Sequence, residues 1–295
     1  MELWFFYAIA AAVFAALTTI LAKIGLKEVD SHLAAAIRTV VVVVFAWVMV
    51  FLVGAQHEIG QIMGQTWLWL VLSGLCTGGS WLCFFHALKL GNVNKVLPID
   101  KSSTILTMLL AFLFLGEPLG WTTVAGMSLM AVGTWLMLES KKQKARDKKR
   151  GDKNHKWLIY ALLAAVFASL TAVFGRLGVV DMEPNLWTAL RTMIVVPLSW
   201  LMVLLTGGQK GIKTVSAKSW LFLLLSGAAT GASWLFFYHA LSQGHASVVV
   251  PIDKLSIVLA MGLARLTLGE RFSKRSLAGL VLLTAGTFLP ILPFA

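Results

Sequence analysis

Ten ionisable side chains stand out in or beside largely apolar stretches of the sequence. They are Lys23, Arg38, His86, Asp100 and Lys101 in the first half, and Arg176, Arg191, His239, Asp253 and Lys254 in the second. A charge in such surroundings is costly, so it faces a packed interior or water and marks a passage or a binding site. Each set holds three permanent cations, one carboxylate and one histidine. The chemistry this allows is ionic. Asp100 or Asp253 can pair with an arginine or lysine and close a passage. The surplus of cations favours an anionic or zwitterionic molecule such as an amino acid or organic acid. His86 and His239 either carry a coupling proton or hydrogen-bond a carbonyl. The alternative is structural: interhelical ion pairs and anchors, with Lys23 and Arg176 near helix ends and able to reach the interface.

The neighbours sharpen the pattern. Asp100, Ser103, Thr104 and Thr107 recur at i, i+3, i+4 and i+7, one polar stripe of a helix; the second half keeps Asp253 and Ser256 but continues with Ile257 and Ala260, so the halves are not equivalent. Lys101 and Lys254 lie about 100° round the helix from that stripe and point to a neighbouring helix. Pro98 and Pro251 leave the carbonyls of Asn94 and Ser247 without an amide partner, tolerated at membrane depth only where something else satisfies them. Thr77, Trp81 and Phe84 share a face, as do Thr230, Trp234 and Phe237; each set is either bundle core or an aromatic wall for a substrate. His86 lies on another face with Gly79 and Cys83. Gly126 with Gly133, and Gly279 with Gly286, read as close helix packing. Glu117 and Glu270, at hairpin turns, read as charges at the start of the next helix.

The elements that position these residues follow from composition. The 295 residues are 58% hydrophobic and 13% charged, with a mean hydropathy of +0.83, which excludes an ordinary soluble domain. Ten apolar stretches are long enough to cross a bilayer as helices: Trp4 to Leu21, Leu33 to Gly54, Trp67 to Leu88, Val93 to Leu115, Leu119 to Leu138, Trp157 to Phe174, Leu186 to Gly207, Trp220 to Leu241, Ala246 to Leu268 and Ser276 to Leu292. The net charge of +12 is concentrated in the segment 140–156, which reads as a cytoplasmic linker. Placing it inside puts most remaining loop lysines and arginines inside as well, and both termini outside. The expectation is a multi-pass protein of the cell (inner) membrane, whose basic charge reports topology and excludes nucleic acid as a partner. Cys76 and Cys83 read as packing residues.

The sequence matches itself without gaps at an offset of about 153 residues, with about two positions in five identical. Ser73-Gly74, Thr77-Gly78-Gly79-Ser80-Trp81-Leu82 and His86-Ala87-Leu88 return as Ser226-Gly227, Thr230-Gly231-Ala232-Ser233-Trp234-Leu235 and His239-Ala240-Leu241. Pro98-Ile99-Asp100-Lys101 returns as Pro251-Ile252-Asp253-Lys254, and Arg38-Thr39 as Arg191-Thr192. Five spans per copy is an odd number, so the second copy enters the membrane upside down. Inverted repeats are the architecture of secondary transporters, in which related halves exchange conformations and expose a central site to either face. In that topology the charges of the first copy lie toward the cytoplasm and those of the second toward the outside. The expected division is 1–139 for the first repeat, 140–156 for the linker and 157–295 for the second repeat.

Five plus five spans, the turns Leu115-Gly116-Glu117-Pro118 and Leu268-Gly269-Glu270-Arg271, and the following Ala125-Gly126 with Gly133-Thr134 and Ala278-Gly279 with Gly286-Thr287 resemble the EamA family of the drug/metabolite transporter superfamily. The Pro-Ile-Asp-Lys stretch is similar to a subgroup whose members can be single five-helix units, and this chain looks like a fused pair. The resemblance covers essentially the whole chain. It implies an all-α polytopic fold and export or exchange of a small metabolite, commonly through the third, fourth, eighth and ninth helices, and it does not fix the substrate. The candidate binding or gating residues are Arg38, Trp81, His86, Asp100, Lys101, Ser103 and Thr104, with Arg191, Trp234, His239, Asp253, Lys254 and Ser256. There is no phosphate-binding loop, dinucleotide fingerprint, zinc-protease motif or nucleophile elbow, so transport is expected to run on gradients, with no cofactor or metal and with proton or other ion coupling open. Small-molecule substrate and lipid bilayer are the expected partners, and the sequence does not fix the oligomeric state, a monomer being one option. The alternatives from other classes are a lipid or lipid-headgroup carrier and an intramembrane enzyme using His86 and Asp100.

Overall fold

Inside a bilayer each backbone N–H and C=O must find its partner within the segment, so long apolar stretches become helices. The computed structural model of the chain describes residues 3–25, 29–90, 96, 99, 102–138, 156–268 and 274–291. Its α-helices are α1 (Leu3–Gly25), α2 (Ser31–Val53), α3 (Gly64–Leu90), α4 (Ser103–Leu115), α5 (Trp121–Leu138), α6 (Lys156–Val179), α7 (Pro184–Thr206), α8 (Ala217–Gln243), α9 (Ala246–Asp253), α10 (Leu255–Leu268) and α11 (Lys274–Phe288). Each of the ten expected stretches contains helix, although the fourth is described as a helix only from Ser103 and the ninth is divided between α9 and α10. Among the described residues seven helical stretches are long and apolar enough to cross a membrane on their own, with Ala246–Leu263 of α9 and α10 counted as one. The chain is an all-helical, multi-span membrane protein.

Local sequence explains where helices begin and end. Asp30 caps α2, its Oδ1 accepting from the amides of His32 and Leu33 at 3.0 and 3.1 Å, and the equivalent Glu183 caps α7 by accepting from Leu186 N at 2.8 Å. Gly54 and Gly207 end the same two helices in the left-handed conformation, with φ of 76° and 75°, where a β-carbon would be strained. The ninth stretch is interrupted. Pro251 removes the amide that would bond Ser247, α9 stops at Asp253, and Ile257 N donates to Lys254 O to start α10.

Contacts gather the chain into two compact units, each drawing helices from both repeats. The first comprises Met1–Gly78, Phe174–His245 and Ile252–Glu270, and the second Gly79–Val173, Ala246–Pro251 and Arg271–Ala295. In the first, α1 runs antiparallel to α8: Phe14 stacks on Phe236 at 5.6 Å, Ser233 Oγ donates to Ala11 O, and Ser226 Oγ donates to Thr18 O. The repeat-equivalent helices α2 and α7 pack on one another, with Leu33, Ala34 and Ile37 meeting Val203 and Leu223 in one buried cluster.

In the second unit the repeat-equivalent α5 and α11 are held at backbone distance. A β-carbon on Gly133 would stand 2.6 Å from Gly279 O, and one on Gly126 would stand 2.7 Å from Gly286 O. Gly126 is the repeat equivalent of Gly279, and Gly133 of Gly286. Each glycine therefore meets the counterpart of the other, which requires equivalent helices to run antiparallel about a two-fold axis. This is the geometry of an inverted repeat.

Candidate functional site

In the first unit Arg38 and Arg191 sit on helix faces built to receive them. Arg191, Ile194 and Leu198 form one face of α7, and it meets Ser73, Gly74, Thr77 and Gly78 of α3. The glycines let the helices approach: a β-carbon on Gly74 would come 2.8 Å from Ile194, and one on Gly78 would come 2.5 Å from Leu198. The hydroxyls beside those glycines hold the guanidinium. Arg191 Nε donates to Ser73 Oγ at 3.1 Å and Nη2 donates to Thr77 Oγ1, while the ion lies 5.3 Å from the ring centres of both Trp234 and Tyr238. Arg191 is 3% exposed. Cation–π contact and hydroxyl dipoles offset part of its desolvation.

The first repeat presents the equivalent arrangement. Arg38, Val41 and Phe45 of α2 face Gly227, Thr230 and Gly231 of α8, with a β-carbon on Gly227 placed 2.6 Å from Val41 and one on Gly231 placed 2.7 Å from Phe45. Arg38 Nη2 donates to Thr230 Oγ1 at 2.9 Å, Thr230 shares a hydrogen bond with Thr18, and Arg38 Nε is buried without an acceptor. Each arginine thus bonds hydroxyls of the other repeat. Among the described residues neither pairs with a carboxylate; of the expected pairings of Asp100 or Asp253 with an arginine or lysine, the described one is Asp253 with Lys254. For the arginines the physical reason is helix order: α2 and α7 present their arginines to α8 and α3, whose facing residues are small or hydroxylated.

Carboxylates of the first unit have other partners. Asp253 Oδ2 lies 3.4 Å from Lys254 Nζ, at the break between α9 and α10. Glu183 lies 3.7 Å from His239 Nε2, while His239 Nδ1 is 2.9 Å from Leu235 O, and the ring packs on Tyr7 at 5.3 Å. A carbonyl accepts only, so Nδ1 carries a proton there. Arg176 Nη1 donates to Leu241 O and Ser242 O at 2.7 Å, capping the C-terminal end of α8.

A family model described as the EamA-like transporter family matches residues 2–139 and again residues 155–292. The chain belongs to that family. An uncharacterized transporter from the cobO 3' region of Sinorhizobium sp. is 42% identical over 134 residues, which are 45% of this chain and 95% of the relative. An uncharacterized protein of Methanocaldococcus jannaschii is 29% identical over 132 residues, 45% of this chain and 93% of that one. Both relatives are about the length of one repeat, and this EamA chain carries two. A chain of known crystal structure aligns with a TM-score of 0.75 over 97% of this chain and 96% of its own length, at 16% identity, and shares the fold.

The second unit of this EamA-family chain holds the remaining candidates. His86 packs on Tyr160 at 4.3 Å, the repeat equivalent of His239 on Tyr7. Thr104 and Thr107 are buried on α4, Ser103 opens that helix, and Thr107 Oγ1 donates back to Ser103 O. Trp81 is half-buried, as is Ser256 of the first unit. Asp100 and Lys101 lie outside the described residues. Their neighbours Val96 and Ile99 pack with Ala87, Ala161 and Tyr160.

Glu117 differs from expectation. It is 4% exposed, and its carboxylate accepts from the amides of Ala246 and Ser247 at 2.7 and 2.8 Å, so it caps α9 rather than the helix that follows it. α5 begins only at Trp121, beyond the reach of a capping side chain at 117. Glu117→Ala is expected to lower stability by about 2 kcal/mol, because it leaves two buried amides without acceptors. The checks are the thermal midpoint and the hydrogen exchange of amides 246 and 247, which should quicken together.

Sequence reasoning missed Ser73, Thr77 and Thr230 as arginine acceptors, and Tyr7, Tyr160, Tyr238 and Glu183 as partners of the histidines and Arg191. The repeated Ser-Gly-x-x-Thr-Gly and the equivalence of Tyr7 with Tyr160 were signals of a shared environment.

Proposed function

We propose that this EamA-family protein is a gradient-driven carrier, an exporter or exchanger, for a small polar metabolite bearing an anionic group, such as an amino acid or organic acid. The observation that carries the proposal is the bonding of Arg38 and Arg191: two permanent cations within the membrane helices, held by neutral hydroxyls and aromatic faces and by no carboxylate among the described residues. At low dielectric such a charge attracts a ligand anion far more strongly than it does in water. The crossed pairing of equivalent helices supports alternating access by two inverted repeats, divided as 1–139 and 157–295 about the linker 140–156. Asp253 with Lys254, and Asp100 with Lys101, are the gate residues of this proposal, and Ser103, Thr104, Ser256, Trp81 and Trp234 are its further candidate binding residues. His86 and His239 are the positions for a coupling proton. The linker lies in the cytoplasm and both termini lie outside, in the inner membrane.

The test is counterflow in sealed liposomes with radiolabelled amino acids and mono- and dicarboxylates. Saturable, gradient-dependent exchange of at least one anion is expected. Conversion of substrate by detergent-purified protein without a membrane would point to an enzyme, and movement of labelled lipid with no anion counterflow would point to a lipid carrier.

A further inference from the structure

We infer that Arg38 is the arginine that takes the carboxylate of the transported anion, and that Arg191 is a positioning arginine kept closed by its own protein partners. The inference rests on the anion-carrier reading above and adds which of two repeat-related cations meets the ligand. Arg38 and Arg191 are equivalent by sequence and lie on equivalent helix faces, yet their bonding is unequal.

On Arg191 the Nε–Nη2 edge of the guanidinium is filled by two hydroxyls one helical turn apart on α3, and two rings lie within 5.3 Å of the ion. On Arg38 the same edge is half filled. Thr230 takes Nη2, and Nε is buried with no acceptor. Ser226 stands where Ser73 stands in the other repeat; its hydroxyl donates to Thr18 O at 3.0 Å and is not placed to accept from Arg38 Nε. Arg38 Nη1 makes no hydrogen bond to a described residue.

Trp187, fully buried, packs beside Tyr238, which lies over Arg191, and its repeat equivalent is Ala34. Among the described residues Arg191 has two hydroxyl acceptors and two ring faces and Arg38 has one hydroxyl, so Arg38 is the less compensated of the two cations. A carboxylate matches what Arg38 lacks, because its two oxygens can engage two guanidinium N–H groups side by side and supply the missing charge.

Purified protein in detergent tests this by equilibrium binding of radiolabelled acetate, succinate, L-glutamate and L-alanine at fixed ionic strength. Arg38→Gln should weaken binding of the anion that binds best by about 30-fold, and Arg38→Lys by about 5-fold, since the ammonium keeps the charge and loses the fork. Arg191→Gln should weaken it by less than about 3-fold while slowing maximal exchange in liposomes, with Arg191→Lys recovering part of the rate. Melting temperature and elution profile without ligand show which variants fold; if Arg38→Gln does not, Arg38→Lys against Arg191→Lys decides. Equal losses at the two positions, or a larger loss at 191, overturn the inference while leaving an anion carrier. Absence of binding of all four compounds to the wild type overturns both.

Discussion

Gly133→Leu is expected to yield protein that does not fold to a monodisperse species, with a loss of stability above about 3 kcal/mol. Glycine is used here for its missing side chain. A β-carbon at 133 meets Gly279 O at 2.6 Å and Leu283 N at 2.7 Å, and both are backbone atoms of α11 that no rotamer change can move. The helices must part, and parting them also opens the contact of Gly126 with Gly286 one pair along. Within a bilayer helix association rests on close packing rather than on the expulsion of water, so lost contact is not recovered elsewhere. Gly262→Ala is the control: nothing lies within 4 Å of a β-carbon there, and the change in α10 should be neutral or stabilise by up to about 1 kcal/mol. Elution profile and thermal unfolding in detergent distinguish the two. A Gly133→Leu protein as stable as wild type would show that α5 and α11 are not held at backbone distance.

The helices were legible because the constraint that makes them is local. Ten apolar stretches of membrane-crossing length have few other folds available, and Asp30, Glu183, Gly54 and Gly207 mark helix ends by chemistry that depends on neighbours in sequence. Pro251 likewise announced disorder in the hydrogen-bond ladder, though not that Lys254 would lie against Asp253. The site was legible by residue and not by partner. Arg38 and Arg191 stood out because charges are rare in such stretches, but opposite charge at similar depth is a poor guide to contact. Which helices are neighbours decides it, and that depends on the two-fold relation between repeats. Ser73-Gly74 and Thr77-Gly78 carried the clue. A hydroxyl beside a small residue, repeated one turn on, marks a face where another helix comes close and a polar group is accepted. Glu117 had no such clue: its acceptor role is fixed by amides 129 and 130 residues away.

Arg191→Met is expected to separate the folding role of the buried cation from its functional role. Methionine has nearly the length and flexibility of the arginine stem, fills the space between α7 and α3, and removes an ion that is 3% exposed and pairs with no carboxylate among the described residues. The desolvation penalty of the charge disappears with the hydrogen bonds it made. Thr77 Oγ1 keeps the carbonyl of Ser73 as its acceptor at 2.9 Å, so its hydroxyl stays satisfied. Replacing a buried ion by an apolar side chain of similar size is often neutral or stabilising, and the expected change in stability is within about 1 kcal/mol. Maximal exchange of carboxylates should nevertheless fall by about 100-fold, because the clamp of Arg191 on α3 is lost, while anion binding changes by less than about 3-fold. The opposite disruption gives the opposite result. Ser73→Ala combined with Thr77→Ala keeps the charge and removes its acceptors, and should destabilise by about 3 kcal/mol. If Arg191 were only a structural tie, Met would destabilise as strongly as the double alanine, and the loss of exchange would follow the loss of folded protein.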